Sequence, residues 1–148
     1  GDTPLLAAVK AGHLASLQTL LAAGARTDPI SCEESTVGST ALHIAAAVKR
    51  SDIVGALLLA GAATDVSDDE GSTPLLIACS AGCLSCVEGL LGAGAQAGAV
   101  NAAGDSPLHV AVQHGRSDIT RALIRAGADT ESRRPSRSHR DTPLLLAC

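Results

Sequence analysis

Three cysteines in the second half of the chain are the first residues to test as a chemical site. Cys79, Cys83 and Cys86 lie within eight residues (79 to 86), and the last two form a C-x-x-C pair. A structural zinc ion needs four protein ligands, and no second pair lies at a suitable spacing. Cys79 shares its column in a repeated pattern with Ala46, so we interpret the cysteines as small buried side chains. Cys83 is expected to be the more exposed of the pair.

The cysteine count also bears on the compartment. Five cysteines, an odd number without paired spacing, argue against a disulfide scaffold and favour a reducing compartment, the cytoplasm or the nucleus. The sequence shows no signal peptide and no apolar run of about 18 residues, so no membrane span is predicted. The chain begins inside a repeated unit at Gly1, so we expect it to be part of a longer protein.

The five histidines do not form a catalytic set. His43 and His109 belong to a short phrase that recurs along the chain, and His13 belongs to a turn. His114 and His139 lie on the surface expected to bind a partner. No nucleophile elbow, zinc-protease motif or phosphate-binding glycine loop is present. The sequence therefore predicts no enzymatic activity, no cofactor and no metal site.

Arginines dominate the segment 132–140. Four arginines and a histidine lie within eight residues there: Arg133, Arg134, Arg137, His139 and Arg140. Guanidinium groups pair with carboxylates and phosphates in a bidentate way, and the chain has no aromatic residue to act as a binding hot spot. We interpret the segment as a basic contact site for a partner, with a solvated, functionally neutral loop as the alternative. Residues 133–136 also resemble a basophilic kinase site.

Acidic residues dominate an earlier loop, at Asp65, Asp68, Asp69 and Glu70. Such a cluster is usually solvated, but it can steer a partner with a basic patch. The spacing lacks the terminal glutamate of an EF-hand, so calcium binding is not expected.

The net charge of −4 and the lack of aromatic residues argue against nucleic-acid binding.

A four-residue phrase recurs five times and sets the position of all these residues. The copies are Thr3-Pro4-Leu5-Leu6, Thr40-Ala41-Leu42-His43, Thr73-Pro74-Leu75-Leu76, Ser106-Pro107-Leu108-His109 and Thr142-Pro143-Leu144-Leu145. Their starts are 37 (40 − 3), 33 (73 − 40), 33 (106 − 73) and 36 (142 − 106) residues apart. A period near 33 predicts a single array of small stacked units rather than one closed core. The units are about 1–37, 38–70, 71–103 and 104–139, with a partial unit at 140–148.

The third unit illustrates the local structure that the phrase predicts. Thr73 is a good N-cap, and Pro74 suits the first helical position because its missing N–H costs nothing there. Gly82 is expected to end this helix. A second helix is expected over about 84–93, with Gly94 as a left-handed cap.

The phrase T-P-L-H, followed by small residues, a glycine and an amphipathic helix that ends L-L-x-x-G-A, resembles the ankyrin repeat. The resemblance covers essentially all 148 residues. It implies an all-α ankyrin-repeat solenoid of helix-turn-helix units with β-hairpin fingers. It also implies that His43 and His109 hold turns by hydrogen bonding. Each unit is too small to bury its own apolar face, so neighbours must complete the core.

The resemblance further implies a protein–protein interaction module that binds a protein partner or peptide through its concave face and fingers. The expected contact residues on helices are Lys10, Ser80, Gln113 and His114. Those on fingers are Asp69, Glu70, Asp105, Arg134, Arg137, His139 and Arg140.

A narrower resemblance concerns residues 84–96 and the ending T-P-L-L-L-A-C at 142–148. Both are similar to the ankyrin-repeat-and-SOCS-box family, which implies a substrate receptor of a cullin–RING ubiquitin ligase. Such receptors bind elongins and cullin through a C-terminal box, which does not lie within these residues. The alternative is a scaffold or inhibitory ankyrin domain of a multidomain signalling protein with no ligase link.

Overall fold

Four consecutive helix pairs form the part of the chain that the computed structural model describes, residues 3–28, 31 and 38–132. The helices are α1 (Pro4–Ala11), α2 (Leu14–Ala22), α3 (Ala41–Ala47), α4 (Ser51–Leu59), α5 (Pro74–Ala81), α6 (Leu84–Gly92), α7 (Pro107–Gln113) and α8 (Ser117–Arg125). The prediction of one helix pair per unit is confirmed for these four units. The partial unit at 140–148 lies outside the described residues.

The helices form two layers. The first helices of the pairs, α1, α3, α5 and α7, pack side by side, and the second helices, α2, α4, α6 and α8, form the other layer. The core between the layers consists of small and aliphatic side chains. Leu42, Leu75 and Leu108, which occupy the same position in successive units, are at most 1% exposed. Neighbouring units therefore share one continuous apolar interior, as the repeat predicts.

The caps of the helices explain why these residues become helical. Thr73 Oγ1 accepts a hydrogen bond from the Leu76 N–H at 3.4 Å, and α5 ends at Gly82, whose φ is 78°. In the second unit Lys49 occupies this glycine column and adopts a φ of 59°. The turn therefore requires the left-handed conformation even where no glycine is present. The second helix of the third unit ends at Gly92 and not at residue 93, which is its C-cap.

His43 holds the turn before α3, as the resemblance implies, and it also reaches the next unit. Its Nε2 lies 2.9 Å from the Ser72 carbonyl oxygen, which can only accept, so Nε2 carries the proton. Its Nδ1 then accepts from the Thr40 N–H at 3.1 Å. Burial lowers the pKa of His43 below the usual 6.5, because the charged ring loses water. His109 repeats the contact to its own turn, with Ser106 Oγ 2.8 Å from Nδ1.

Tight turns, and not β-strands, form the loops between units in the described residues. Asp68 Oδ1 accepts from the N–H groups of Glu70 at 3.0 Å and Ser72 at 2.8 Å. Asn101 repeats this pattern in the next loop, where its Oδ1 also accepts two backbone N–H groups. The β-hairpins that the resemblance implies for these fingers are not shown.

Adjacent loops contact each other directly. The Ala102 N–H donates to the Glu70 carbonyl oxygen at 3.0 Å, and the Gln96 N–H donates to Asp65 Oδ1 at 2.9 Å. Gly71 lies at this contact with a φ of 72°, and a Cβ there would come within 2.9 Å of the Ala102 nitrogen. The loops are therefore held in register by the same stacking that aligns the helices.

Candidate protein-binding surface

A row of exposed side chains crosses the first-helix layer. Lys10, Ala47, Ser80 and Gln113 each lie seven residues after the first residue of the phrase (for example, 80 − 73). Because α1, α3, α5 and α7 pack side by side, these positions form one line, which we call the helix row. Ser80 and Gln113 are exposed. Lys10 is half-buried, with its Nζ 3.5 Å from Ser31 Oγ.

The residue after each member of the helix row widens this surface. His114 is exposed at the C-cap of α7, and its Nδ1 donates to the Val110 carbonyl oxygen at 2.9 Å. The equivalent residue of the second unit, Val48, is 47% exposed and adds an apolar side chain. The surface is thus small, weakly polar and continuous over four units.

Acidic side chains lie on the loops that flank the helix row. Asp69 and Glu70 are exposed, and Asp105 is half-buried in the next loop. We call these three residues the loop row. The sequence grouped Asp65 and Asp68 with them as one acidic cluster, and the structure adds a second role for those two residues. Their carboxylates accept backbone N–H groups and fix the loops.

The remaining predicted contact residues, Arg134, Arg137, His139 and Arg140, lie outside the described residues. The arginine-rich contact site therefore stays a prediction.

Cys83 and Cys86 form a disulfide in the structure, with their Cα atoms 5.3 Å apart. Cys86 is buried and Cys83 is the more exposed of the two, as expected, but the bond between them was not predicted. A separation of three residues at a helical turn brings the two sulfurs together. Cys79 is a buried free thiol, and burial raises its pKa to about 12. Within the described ranges, no group of three or more His, Cys, Asp or Glu side chains could hold a metal ion.

An arginine clamp between units was missed by the sequence reasoning. Arg50, at the start of α4, donates to the Gly12 carbonyl oxygen of the first unit at 2.7 Å. It also binds Asp52 in a bidentate way, at 2.9 and 2.7 Å, and this lowers the pKa of Asp52 to about 2. The triplet Arg-Ser-Asp recurs at 116–118, and this repetition is the signal that could have revealed the clamp.

The outer face of the first unit has an open apolar depression of about 360 Å³. It is lined by Thr3, Pro4, Leu5, Leu20, Ala25 and Arg26. In later units the residues equivalent to Leu20, which are Leu57 and Leu90, are 0% exposed because the preceding unit covers them. The depression is thus the uncovered counterpart of a contact between units.

The comparisons with known proteins agree with this architecture. The family model for ankyrin repeats (3 copies) matches residues 1–66, 42–134 and 85–148, so its overlapping matches span the chain. No curated protein matches the chain by sequence. None of the described helices is long and apolar enough to cross a membrane. Ankyrin repeats form a non-catalytic fold that binds protein partners. The chain therefore belongs to the ankyrin-repeat family, and its stacked helix pairs form a protein–protein interaction module.

Proposed function

We propose that this chain binds a protein partner or peptide across the helix row and the loop row, the surface that the family uses as its concave face. The observation that carries this proposal is the exposure of Ala47, Ser80 and Gln113 along a layer whose other side is buried. Ser80 and Gln113 are exposed, whereas Leu75 and Leu108 of the same helices are at most 1% exposed.

The charge of the surface indicates the chemistry of the partner. Asp69 and Glu70 bring two exposed carboxylates to one loop, and the half-buried Asp105 lies in the next loop. Carboxylates in this arrangement steer a partner with basic side chains and fix its orientation more than they raise its affinity. The helix row itself offers small side chains without a large anchor, so we expect moderate affinity. Arg134, Arg137 and Arg140 are the residues we propose as the stronger anchors, for acidic groups of the same partner.

An affinity capture with matched variants tests this proposal. Ser80→Arg places a long cation in the middle of the helix row, and Gln18→Arg places the same side chain on the exposed side of α2, in the other layer. We expect proteins captured by the unmodified chain to be lost with Ser80→Arg and retained with Gln18→Arg. Equal loss or equal retention would contradict the assignment of the surface. Circular dichroism of both variants checks that the helices are intact.

A narrower proposal is that the chain recognises substrates for a cullin–RING ubiquitin ligase. It is supported by the resemblance of 84–96 and 142–148 to the ankyrin-repeat-and-SOCS-box family. Co-purification of the protein with elongin and cullin from cells tests it. Partner proteins without either ligase component would favour the alternative, a scaffold or inhibitory domain of a signalling protein.

The compartment is part of the same proposal. We place the protein in the cytoplasm or the nucleus, and imaging of a tagged protein tests this placement. Secretion would contradict it.

A further inference from the structure

The first turn of α6 carries two cysteines in an arrangement that none of the other described units has. Cys83 is the N-cap of this helix, and its Sγ accepts a hydrogen bond from the Cys86 N–H at 3.3 Å. The Cα atoms are 5.3 Å apart, within the range in which a disulfide forms without movement of the backbone. Cys83 is half-buried and Cys86 is 0% exposed, so of the two residues only Cys83 has surface open to solvent.

The surroundings of Cys83 favour the thiolate, the reactive form of a cysteine. The free N–H groups at the start of a helix carry partial positive charge, and an N-cap sulfur lies against them. Arg116 of the next unit adds a full positive charge beside this turn. A Cβ on Gly82, the residue before Cys83, would lie 2.6 Å from Arg116 Cζ and Nε, so the guanidinium packs against this residue.

The Arg116 contact differs from its counterpart in the second unit. The Arg50 guanidinium donates to the Gly12 carbonyl oxygen and forms a bidentate pair with Asp52. Arg116 Nε is buried and has no hydrogen-bond partner within the described part of the chain. The charge of Arg116 is thus less compensated than that of Arg50, and it lies next to a cysteine instead of a histidine.

We propose that Cys83 and Cys86 are a reversible thiol–disulfide site that reacts with low-molecular-weight disulfides, and that Arg116 supplies the positive charge that activates Cys83. In the oxidising direction the Cys83 thiolate attacks one sulfur of the small disulfide. A mixed disulfide forms at Cys83 and one small thiolate leaves. The Cys86 thiol then loses its proton to solvent, and its sulfur attacks Cys83 Sγ and expels the second small thiolate. The two protein thiols are oxidised by two electrons, and one small disulfide is reduced to two thiols.

The geometry assigns different roles to the two sulfurs. Cys83 is the sulfur that external reagents reach, and Cys86 is the resolving sulfur, which acts only on its neighbour because it is buried. Oxidation therefore adds a covalent link across the first turn of α6, which begins shortly after Ser80 of the helix row.

Mass spectrometry with oxidised glutathione as the probe tests the site. The full chain carries Cys32→Ser and Cys148→Ser, so that Cys79, Cys83 and Cys86 remain. We expect the reduced protein to lose two hydrogen atoms and to show the Cys83–Cys86 link by peptide mapping. With Cys86→Ala added, one glutathionyl group should stay trapped on Cys83. With Cys83→Ala instead, no adduct should form.

Two results would overturn the proposal. The first is a protein that stays fully reduced while its Cys86→Ala variant gains no adduct. The second is an adduct on Cys86 in the Cys83→Ala variant. Circular dichroism confirms that each variant is folded, and Cys86→Ser provides a second trap if the alanine variant unfolds.

Arginine variants test the second half of the proposal. In the Cys86→Ala background we expect Arg116→Gln to slow the formation of the Cys83 adduct several-fold. Arg50→Gln is the matched control, since it removes the equivalent arginine at a turn without cysteine, and it should leave the rate unchanged. Equal rates for the two variants would overturn the role given to Arg116.

Discussion

Replacement of a leucine in the interior of the stack tests whether the units share one core. Leu90 and Leu20 occupy the same column, 17 residues after the start of the phrase (90 − 73 and 20 − 3). Leu90 in α6 is 0% exposed, because a unit covers it on each side. Leu20 in α2 is half-buried and lines the open depression of the first unit. The two leucines thus have the same side chain and the same column, and they differ only in the units that cover them.

The two substitutions to alanine should differ in cost. Leu90→Ala removes buried methylene groups at about 0.8 kcal/mol each and leaves a closed cavity, so we expect a loss of about 3–4 kcal/mol in the free energy of unfolding. Leu20→Ala only enlarges a depression that is already open to solvent. We therefore expect it to lose the smaller transfer term alone, about 1–2 kcal/mol.

Urea unfolding followed by circular dichroism measures both losses, under reducing conditions so that the Cys83–Cys86 link does not contribute. The slope of free energy against urea must stay the same in both variants for the comparison to hold. A loss for Leu20→Ala equal to or larger than that for Leu90→Ala would refute the reasoning. It would mean that each helix pair closes its own core and that contacts between units add little.

Three further predictions use the same unfolding assay. Gly71→Ala should destabilise the chain more than Gly61→Ala. Both glycines have positive φ, but only a Cβ at Gly71 meets backbone, the Ala102 nitrogen at 2.9 Å; similar losses would contradict the close approach of the loops. Gly89→Ala should raise stability by about 1 kcal/mol, because Gly89 lies inside α6 and a Cβ there meets nothing within 4 Å. A loss would reveal a contact that the structure does not show. His43→Leu should make the free energy of unfolding depend less on pH below 6.5. The pKa of His43 is lowered in the folded chain, so the unfolded chain binds the proton more readily and stability falls as pH drops below 6.5. An unchanged profile in the variant would show that another group causes the acid sensitivity.

The local structure of this chain follows closely from its sequence, for reasons visible in single residues. Thr73 and Pro74 start α5 and Gly82 ends it, because cap chemistry depends only on neighbours along the chain. The column alignment also shows where Lys49 replaces a glycine. The positive φ of Lys49 follows from that alignment, since the turn is repeated and the stack maintains it.

Contacts between units were harder to predict, because they depend on how the units stack. The repeated Arg-Ser-Asp triplet marks Arg50 as a residue of interest, but it does not show that the guanidinium reaches the Gly12 carbonyl, 38 residues away. The role of Asp68 in holding its turn could have been predicted from the sequence. Asn101 occupies the same column and forms the same turn.

For the proposed contact surface, the sequence predicts which positions lie on it but not which partner they bind. Ser80 and Gln113 were expected from the resemblance to the ankyrin repeat, and the structure adds that their helices lie side by side. The chemistry of a partner depends on side chains that it must match, and these are not encoded in the repeat.

Hydrogen exchange of the chain with and without its captured partner tests the central claim most directly. We expect slower exchange on binding at the ends of α5 and α7 around Ser80 and Gln113 and in the loop of Asp69 and Glu70. Exchange in α2, α4, α6 and α8 should change little. Protection confined to those second helices would show that the partner does not bind the helix row or the loop row.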